Sequence, residues 1–476
     1  MSKENRIVEK NEGLNSIVES RYHDSCYTET YQMGENRYTY ECDELREEIA
    51  KNERVVYING SKVYSEISSF DDNGNKIITQ KNKELRYEYD SADLLKAIWK
   101  DDTCLCSYEY NNLKEMIREN SVETGKTYVY QYDEGGNIKE IWAYPLDFIT
   151  PIEGLKDGIL EASYGYHQDI TDQMISYQGA EVEYDASGDP IKYWDGSLFT
   201  WTQGQKLQSV LNQAGKTEYA YNMDGMRSKK IQGDNHTEYF YRNKRLILEV
   251  SDGNEIWYRY DALGNLVGFL YEGELYVYEL NANKDVVGIL DTKGNTLVQY
   301  QYDGWGKNLA ITGDIELGEK NPFRYHSYYY DNETGYYYLQ NRYYDPQVKR
   351  MLNMDSYTDT EFGMFSHNMY AYCENTPVNT SNNTGNLPSW INANIYTSEE
   401  YLWQVTDNDA DYNCYGYAIN SYEFVDPGDY CKSKLNAGFT LENLKNKTLK
   451  DLRTRGYNAC VITKEALAEA KKLELS

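Results

Sequence analysis

The stretch Tyr130-Gln131-Tyr132-Asp133-Glu134-Gly135-Gly136-Asn137 holds the fold in miniature. Two tyrosines two residues apart share one face of a strand, because strand side chains alternate. Asp with Gly or Asn then supplies a turn, since Gly and Asn tolerate positive φ. The next residues alternate again, so the unit predicts a β-hairpin. The same phrase recurs at Tyr87-Glu88-Tyr89-Asp90, Glu183-Tyr184-Asp185, Tyr219-Ala220-Tyr221-Asn222, Tyr258-Arg259-Tyr260-Asp261 and Tyr300-Gln301-Tyr302-Asp303. Its second tyrosines stand at 89, 132, 184, 221, 260 and 302, a period near 40 with one wide interval between 132 and 184. Such a period predicts a repeat architecture in which each unit lends its neighbour a surface. Helical periodicity is absent until past residue 430, and residues 30–350 read as mostly antiparallel strand.

Composition narrows the class. The 476 residues include 51 tyrosines, and the net charge is −29. That acid excess argues against a surface that coats nucleic acid, because phosphates would be repelled. Low mean hydropathy raises disorder as an alternative, but disordered segments are poor in aromatics. No apolar run is long enough to span a bilayer, and the first ten residues show no apolar signal-peptide core. The eight cysteines, at 26, 42, 104, 106, 373, 414, 431 and 460, form no zinc spacing and suggest no disulfide framework. No metal and no cofactor are expected.

The repeats resemble the YD repeats of the RHS (rearrangement hotspot) family. The likeness covers most of residues 57–385 and is sharpest from Asn321-Pro322-Phe323-Arg324-Tyr325 through Tyr343-Tyr344-Asp345-Pro346 to Asp355. Asn368-Met369-Tyr370-Ala371-Tyr372-Cys373 and Asn375-Thr376-Pro377-Val378-Asn379 continue it. The resemblance implies a mainly β fold, a YD-repeat hairpin shell followed by a small α+β module. It divides the chain into a degenerate or partial repeat segment (1–56), the shell (57–320), the repeat-associated core (321–385) and a variable C-terminal module (386–476). Tyrosines on such a wall serve mainly as packing. The alternative is a carbohydrate-binding surface on a non-enzymatic adhesion protein, since aromatic faces stack on sugars.

The family also implies a polymorphic toxin or cell-surface protein, secreted or wall-associated, with a cognate immunity protein. Family shells are longer, so this chain is a candidate fragment of a larger protein. Many shells cut themselves after an Asp-Pro-x-Gly ending, using an Arg and acidic residues of the core, and Arg350 and Asp355 look like the matching positions. The bland alternative for these two is a structural ion pair. This chain departs from the ending: it has Asn382-Asn383-Thr384-Gly385, with both Asp and Pro missing.

Beyond residue 386 the pattern changes. Thr440–Lys445 and Thr463–Lys472 are spaced as short helices around a strand at Ala459–Ile462. Asn413-Cys414-Tyr415-Gly416-Tyr417-Ala418 resembles the nucleophile region of papain-like and NlpC/P60-like cysteine hydrolases. There a Cys opens a helix and a His lowers its pKa, so Cys414 becomes the candidate nucleophile and Asn413 the oxyanion support. The five histidines, at 23, 167, 236, 326 and 367, all precede this module. A nuclease tail is the third possibility, ranked lower because the module shows no basic stripe.

Overall fold

The computed structural model describes residues 5–382 apart from short stretches (the longest being 356–367), together with the strand Ser389–Trp390; side-chain surroundings are described from Val55 onward. The chain divides at Ile391 into two units, and residues 392–476 lie outside the described residues. The predicted helices and strand after residue 430 fall there.

Among the described residues the first unit holds a 16-stranded sheet from Asn5 to Glu181, a 14-stranded sheet from Glu183 to Gly313, a four-stranded sheet from Tyr329 to Met351 and a two-stranded one. Within the two large sheets every strand pairs antiparallel with the next in sequence. The N-terminal segment belongs to this pattern, because the strands Asn5–Asn11, Ser16–His23, Cys26–Met33 and Asn36–Glu44 continue the first sheet.

The YD phrase acts through its turn. Asp133 Oδ1 accepts the backbone N–H groups of Gly135 and Asn137, both at 2.9 Å. Gly136, three residues past the Asp, has φ +72°, the left-handed region where a Cβ is costly. The same carboxylate or amide clasp recurs at Asp90, Asp185, Asn222, Asp291 and Asp303. It also recurs where the sequence reading saw no repeat. Asn111 and Asn281 supply the acceptor, and His167 does so through Nδ1. Lys114 and Lys284 then hold the left-handed position without glycine.

Each turn puts a bulge in the strand that enters it. The register shifts between Gln131 and Tyr132, Ala220 and Tyr221, Arg259 and Tyr260, and Gln301 and Tyr302. A bulge adds twist, which sheets this wide require. It also aims the second tyrosine at the preceding hairpin. Tyr132 Oη donates to Met116 O (2.7 Å), Tyr221 to Leu207 O (2.8 Å), Tyr260 to Leu246 O (3.0 Å) and Tyr302 to Val286 O (2.9 Å). The first tyrosines, Tyr87, Tyr130, Tyr219, Tyr258 and Tyr300, are buried in the main apolar cluster. In the pairs 130/132, 219/221, 258/260 and 300/302, one tyrosine thus supplies core and the other ties one repeat to the last.

Two features break the strand pattern. The wide interval after Tyr132 comes from the excursion between the strands Ile138–Pro145 and Ile159–Tyr166. Fully buried Arg118 braces it by donating to Thr150 O and Asp147 O. The short helix Ile315–Lys320 was not predicted; Asp314 caps it by accepting from Leu317 N. Its six residues are too few for helical periodicity to register.

The core strands Tyr329–Asp331, Tyr336–Leu339, Arg342–Asp345 and Arg350–Met351 set rings against the repeats. Tyr193 meets Tyr336, Tyr219 meets Tyr343, Tyr239 meets Tyr329 and Tyr258 meets Phe323, with ring centroids 4.7–6.3 Å apart. Wall packing therefore accounts for these tyrosines.

Candidate functional site: the core junction

The candidate site is where the core chain leaves the repeats. Residues 368–382 run along the turn row of the first sheet. Asn368 Nδ2 donates to Asn137 Oδ1 (2.7 Å) and Asn375 Nδ2 to Glu115 Oε1 (3.0 Å) and Gly136 O (2.6 Å). Asn379 accepts from Leu95 N (2.7 Å) and donates to Tyr110 Oη (2.9 Å). Tyr370 Oη donates to Gly188 O (2.7 Å). Successive asparagines thus engage successive repeat turns in reverse chain order. An amide suits this role because it donates and accepts at once.

Arg350 is buried and donates to Asp172 O (2.7 Å), with its guanidinium 5.1 Å from the Tyr166 ring. Asp355 forms its ion pair with Arg342, at 2.8 Å. The sequence-based alternative paired Arg350 with Asp355; in the structure Arg342 is the cation at that carboxylate. Burial pushes the Arg342 guanidinium down to about 10, with Asp355 opposing the shift. Arg342 also donates to Met369 O, so it anchors the start of the asparagine segment.

At the end of that segment, Tyr328 Oη accepts from Asn382 N and from Tyr372 Oη. Tyr372 stacks on Tyr344 at 3.7 Å. Thr380–Ser381 then pairs with Ser389–Trp390, so the chain doubles back across the junction. Asn383, Thr384 and Gly385 between these strands lie outside the described residues. Cys373 is buried, its thiol pushed up to about 12 chiefly by burial, which suits a core thiol and not a nucleophile.

His326 fixes the far side of the junction. Its ring nitrogens lie 2.9 Å from Asn283 O and 3.1 Å from Pro377 O, and Asp285 accepts its backbone N–H. His167 Nδ1 is taken up by a turn. Cys414 and Asn413 lie outside the described residues.

A second buried cluster locks the three sheets together. Glu119 of the first sheet accepts from Tyr130 Oη and from Gly304 N, both at 2.7 Å. Lys349 of the core pairs with Asp303 at 3.2 Å. Burial, with Asp303 adding to it, pushes the Glu119 carboxyl up to about 7. In the second sheet, buried Arg227 pairs with Asp331 inside a cage of Tyr219, Tyr239, Tyr329 and Tyr338 rings. Lys230 pairs with the same carboxylate at 3.1 Å.

Comparison with known proteins agrees with this architecture. No family model matches the chain. It is 31% identical over 277 residues to the tRNA3(Ser)-specific nuclease WapA of Bacillus spizizenii, covering 56% of this chain and 11% of that one. It is 24% identical over 377 residues to the double-stranded DNA deaminase toxin A of Burkholderia cenocepacia, covering 69% of this chain and 25% of that one. The Photorhabdus luminescens Tc holotoxin pore superposes with a TM-score of 0.54 at 14% identity, over 78% of this chain and 23% of that one. The fold is thus that of a β-rich shell of antiparallel hairpin repeats. The chain is similar to RHS/YD-repeat proteins, and it spans about a tenth of the length of the first WapA relative. Among the described residues no helix is long and apolar enough to cross a membrane.

Proposed function

We propose that this chain is the repeat-and-core part of an RHS-type polymorphic toxin, which carries residues 386–476 as the effector used in contact-dependent competition between bacteria. One observation supports this above the others. The chain is similar to proteins named for two different chemistries, a tRNA nuclease and a DNA deaminase. A region shared across unlike chemistries reads as a carrier, and the carrier leaves the effector's chemistry open. Secretion or surface exposure and a cognate immunity protein follow from this reading.

Within it, Cys414 is the nucleophile to test and Asn413 its oxyanion support, in a cysteine hydrolase whose base would come from outside residues 386–476. A tRNA-cleaving effector is the second reading, supported by the names of the WapA relatives. Induced expression in a bacterial cytoplasm decides between these. The full chain should arrest growth and a chain ending at residue 385 should not. Arrest lost in Cys414→Ala with tRNA intact supports the hydrolase; fragmented tRNA supports the nuclease. No arrest by the full chain overturns the toxin reading. The reading does not require self-cleavage after residue 385, since the ending Asn382-Asn383-Thr384-Gly385 lacks the Asp and Pro of the family pattern. Purified protein should therefore run at its full mass.

A further inference from the structure

His326 sits in a turn that its own backbone does not favour. His326 and Ser327 both lie in the left-handed region, at φ +50° and +57°. Neither is glycine, so the turn persists because its surroundings hold it. The core turn Cys373–Asn375 is left-handed at all three residues, at +50°, +51° and +59°. The two turns meet at Pro377, whose carbonyl oxygen lies 3.1 Å from His326 Nε2 and 3.4 Å from Tyr325 Oη. On the opposite edge of the imidazole, Nδ1 lies 2.9 Å from Asn283 O and 3.3 Å from Asp285 Oδ1. Both ring nitrogens therefore face backbone carbonyls, which only accept. Neutral imidazole carries one N–H and satisfies one side, while imidazolium donates from both. The ring is buried, so water does not replace the bond that neutral imidazole leaves unmade.

We infer that His326 is a proton-operated clamp: as imidazolium it ties the second sheet at Asn283 to the core chain at Pro377, and as neutral imidazole it lets one of the two go. The chain it holds leads toward residue 386. Asn379 N and Thr380 N donate to Thr376 O, and Asn382 N donates to Tyr328 Oη on the histidine's own turn. The groups around the ring leave the charge to it. Asp285 accepts from His326 N at 2.8 Å and from Asn281 Nδ2 at 2.6 Å. Lys284 on that turn is exposed, and Glu374 of the core turn interacts with Lys114. Tyr325 and Tyr328 pack on the imidazole, with Cys373 near both and Tyr87 of the first sheet near Asp285. Burial raises these three phenols and pushes the Cys373 thiol up to about 12, so they stay neutral where histidine titrates. Acid therefore tightens the approach to residue 386, and alkali loosens it. The inference goes beyond the toxin reading and stands or falls separately from it, since it needs only the repeat-and-core unit.

The test uses the purified full chain between about pH 5 and 9, the range that spans histidine titration. Ring-nitrogen NMR of the histidine-labelled protein should show both His326 nitrogens protonated at the acid end and one at the alkaline end. Hydrogen exchange, corrected for its intrinsic pH dependence, reads the clamp itself. Protection of residues 376–382 relative to the strand Asn235–Arg242 should fall about tenfold from acid to alkali, the loss of one hydrogen bond. The reference strand removes any change in global stability. His326→Asn tolerates the left-handed backbone and does not titrate, so the fall should vanish in it. A single protonated ring nitrogen at the acid end, constant relative protection in the wild type, or the same fall in His326→Asn would each overturn the inference. Should His326→Asn not fold, replacing the other four histidines assigns the ring signals, and the NMR result alone decides.

Discussion

The repeat walls and the core are both rich in tyrosine, yet they are held together over very different distances along the chain. In the walls, the Tyr132, Tyr221, Tyr260 and Tyr302 hydroxyls reach carbonyls 14–16 residues back. In the core, Asn379 meets Leu95 across 284 positions and Arg227 meets Asp331 across 104. Local contacts cost little chain entropy and reward each hairpin as it forms. Core contacts are satisfied only after the sheets exist. The walls should therefore resemble a sum of neighbouring terms, and the core a single all-or-none closure.

Arg227→Ala should test this difference most severely. It removes the guanidinium from the ring cage and leaves Lys230 as the cation at Asp331, and loss of one partner of a buried pair costs about 3–5 kcal/mol. Chemical denaturation should show that drop, and Arg227→Lys should recover little of it, because an ammonium cannot span four rings and a carboxylate. A drop under 1 kcal/mol would mean that the core does not govern closure.

Acidity offers the next test. The Glu119 carboxyl has its folded pKa raised from an ordinary 4.5 to about 7. The folded state therefore binds the proton more tightly than the unfolded state, and stability should rise as pH falls from about 7 toward 4.5. The gain is on the order of 1–3 kcal/mol, moderated by Lys349. Asp189 and Asp345, raised to about 7 and about 6, act in the same direction. Melting curves between pH 5 and 8 should show this slope, and Glu119→Gln should flatten it. An unchanged slope would remove Glu119 from the account.

Smaller and more local is Asn379→Ala. It should cost about 1–3 kcal/mol by leaving Leu95 N–H without its acceptor in a buried site. Hydrogen exchange should quicken across residues 368–382 while the strand Lys126–Tyr132 keeps its protection. Equal loosening of both would erase the distinction between wall and core. Tyr132→Phe should have the least effect, about 1 kcal/mol, confined to the hairpins that its hydroxyl joins. Propagation of that effect to the second sheet would contradict the neighbour-only picture of the walls.

Much of this was legible in the sequence because the repeat encodes its own geometry. Tyr-x-Tyr-Asp followed by Gly announces strand and left-handed turn within eight residues, while the bulge between them appears only in the structure. The reading missed the turns at Asn111, His167, Asn281 and Asp291, because the clasp needs only an acceptor of the right reach, with neither an Asp nor a preceding Tyr-x-Tyr required. The asparagines at 368, 375 and 379 were visible only as part of a family likeness. Nothing in their spacing of 7 and 4 residues says that each engages a different repeat turn. The Arg342–Asp355 pair was likewise hidden: Arg350 is nearer to Asp355 in sequence, but the strand Arg342–Asp345 brings Arg342 to it.

By itself, then, the sequence determined the hairpin unit, its approximate period and the antiparallel meander, because each rests on contacts within a few residues or between neighbouring strands. Only the tertiary structure decided which tyrosines are core and which are ties, that Glu119 and Asp303 share a buried junction with Lys349, and that the core threads its asparagines along the turn row. Those outcomes depend on burial and on partners a hundred or more residues away, and a linear pattern carries no information about which distant turn a side chain will meet.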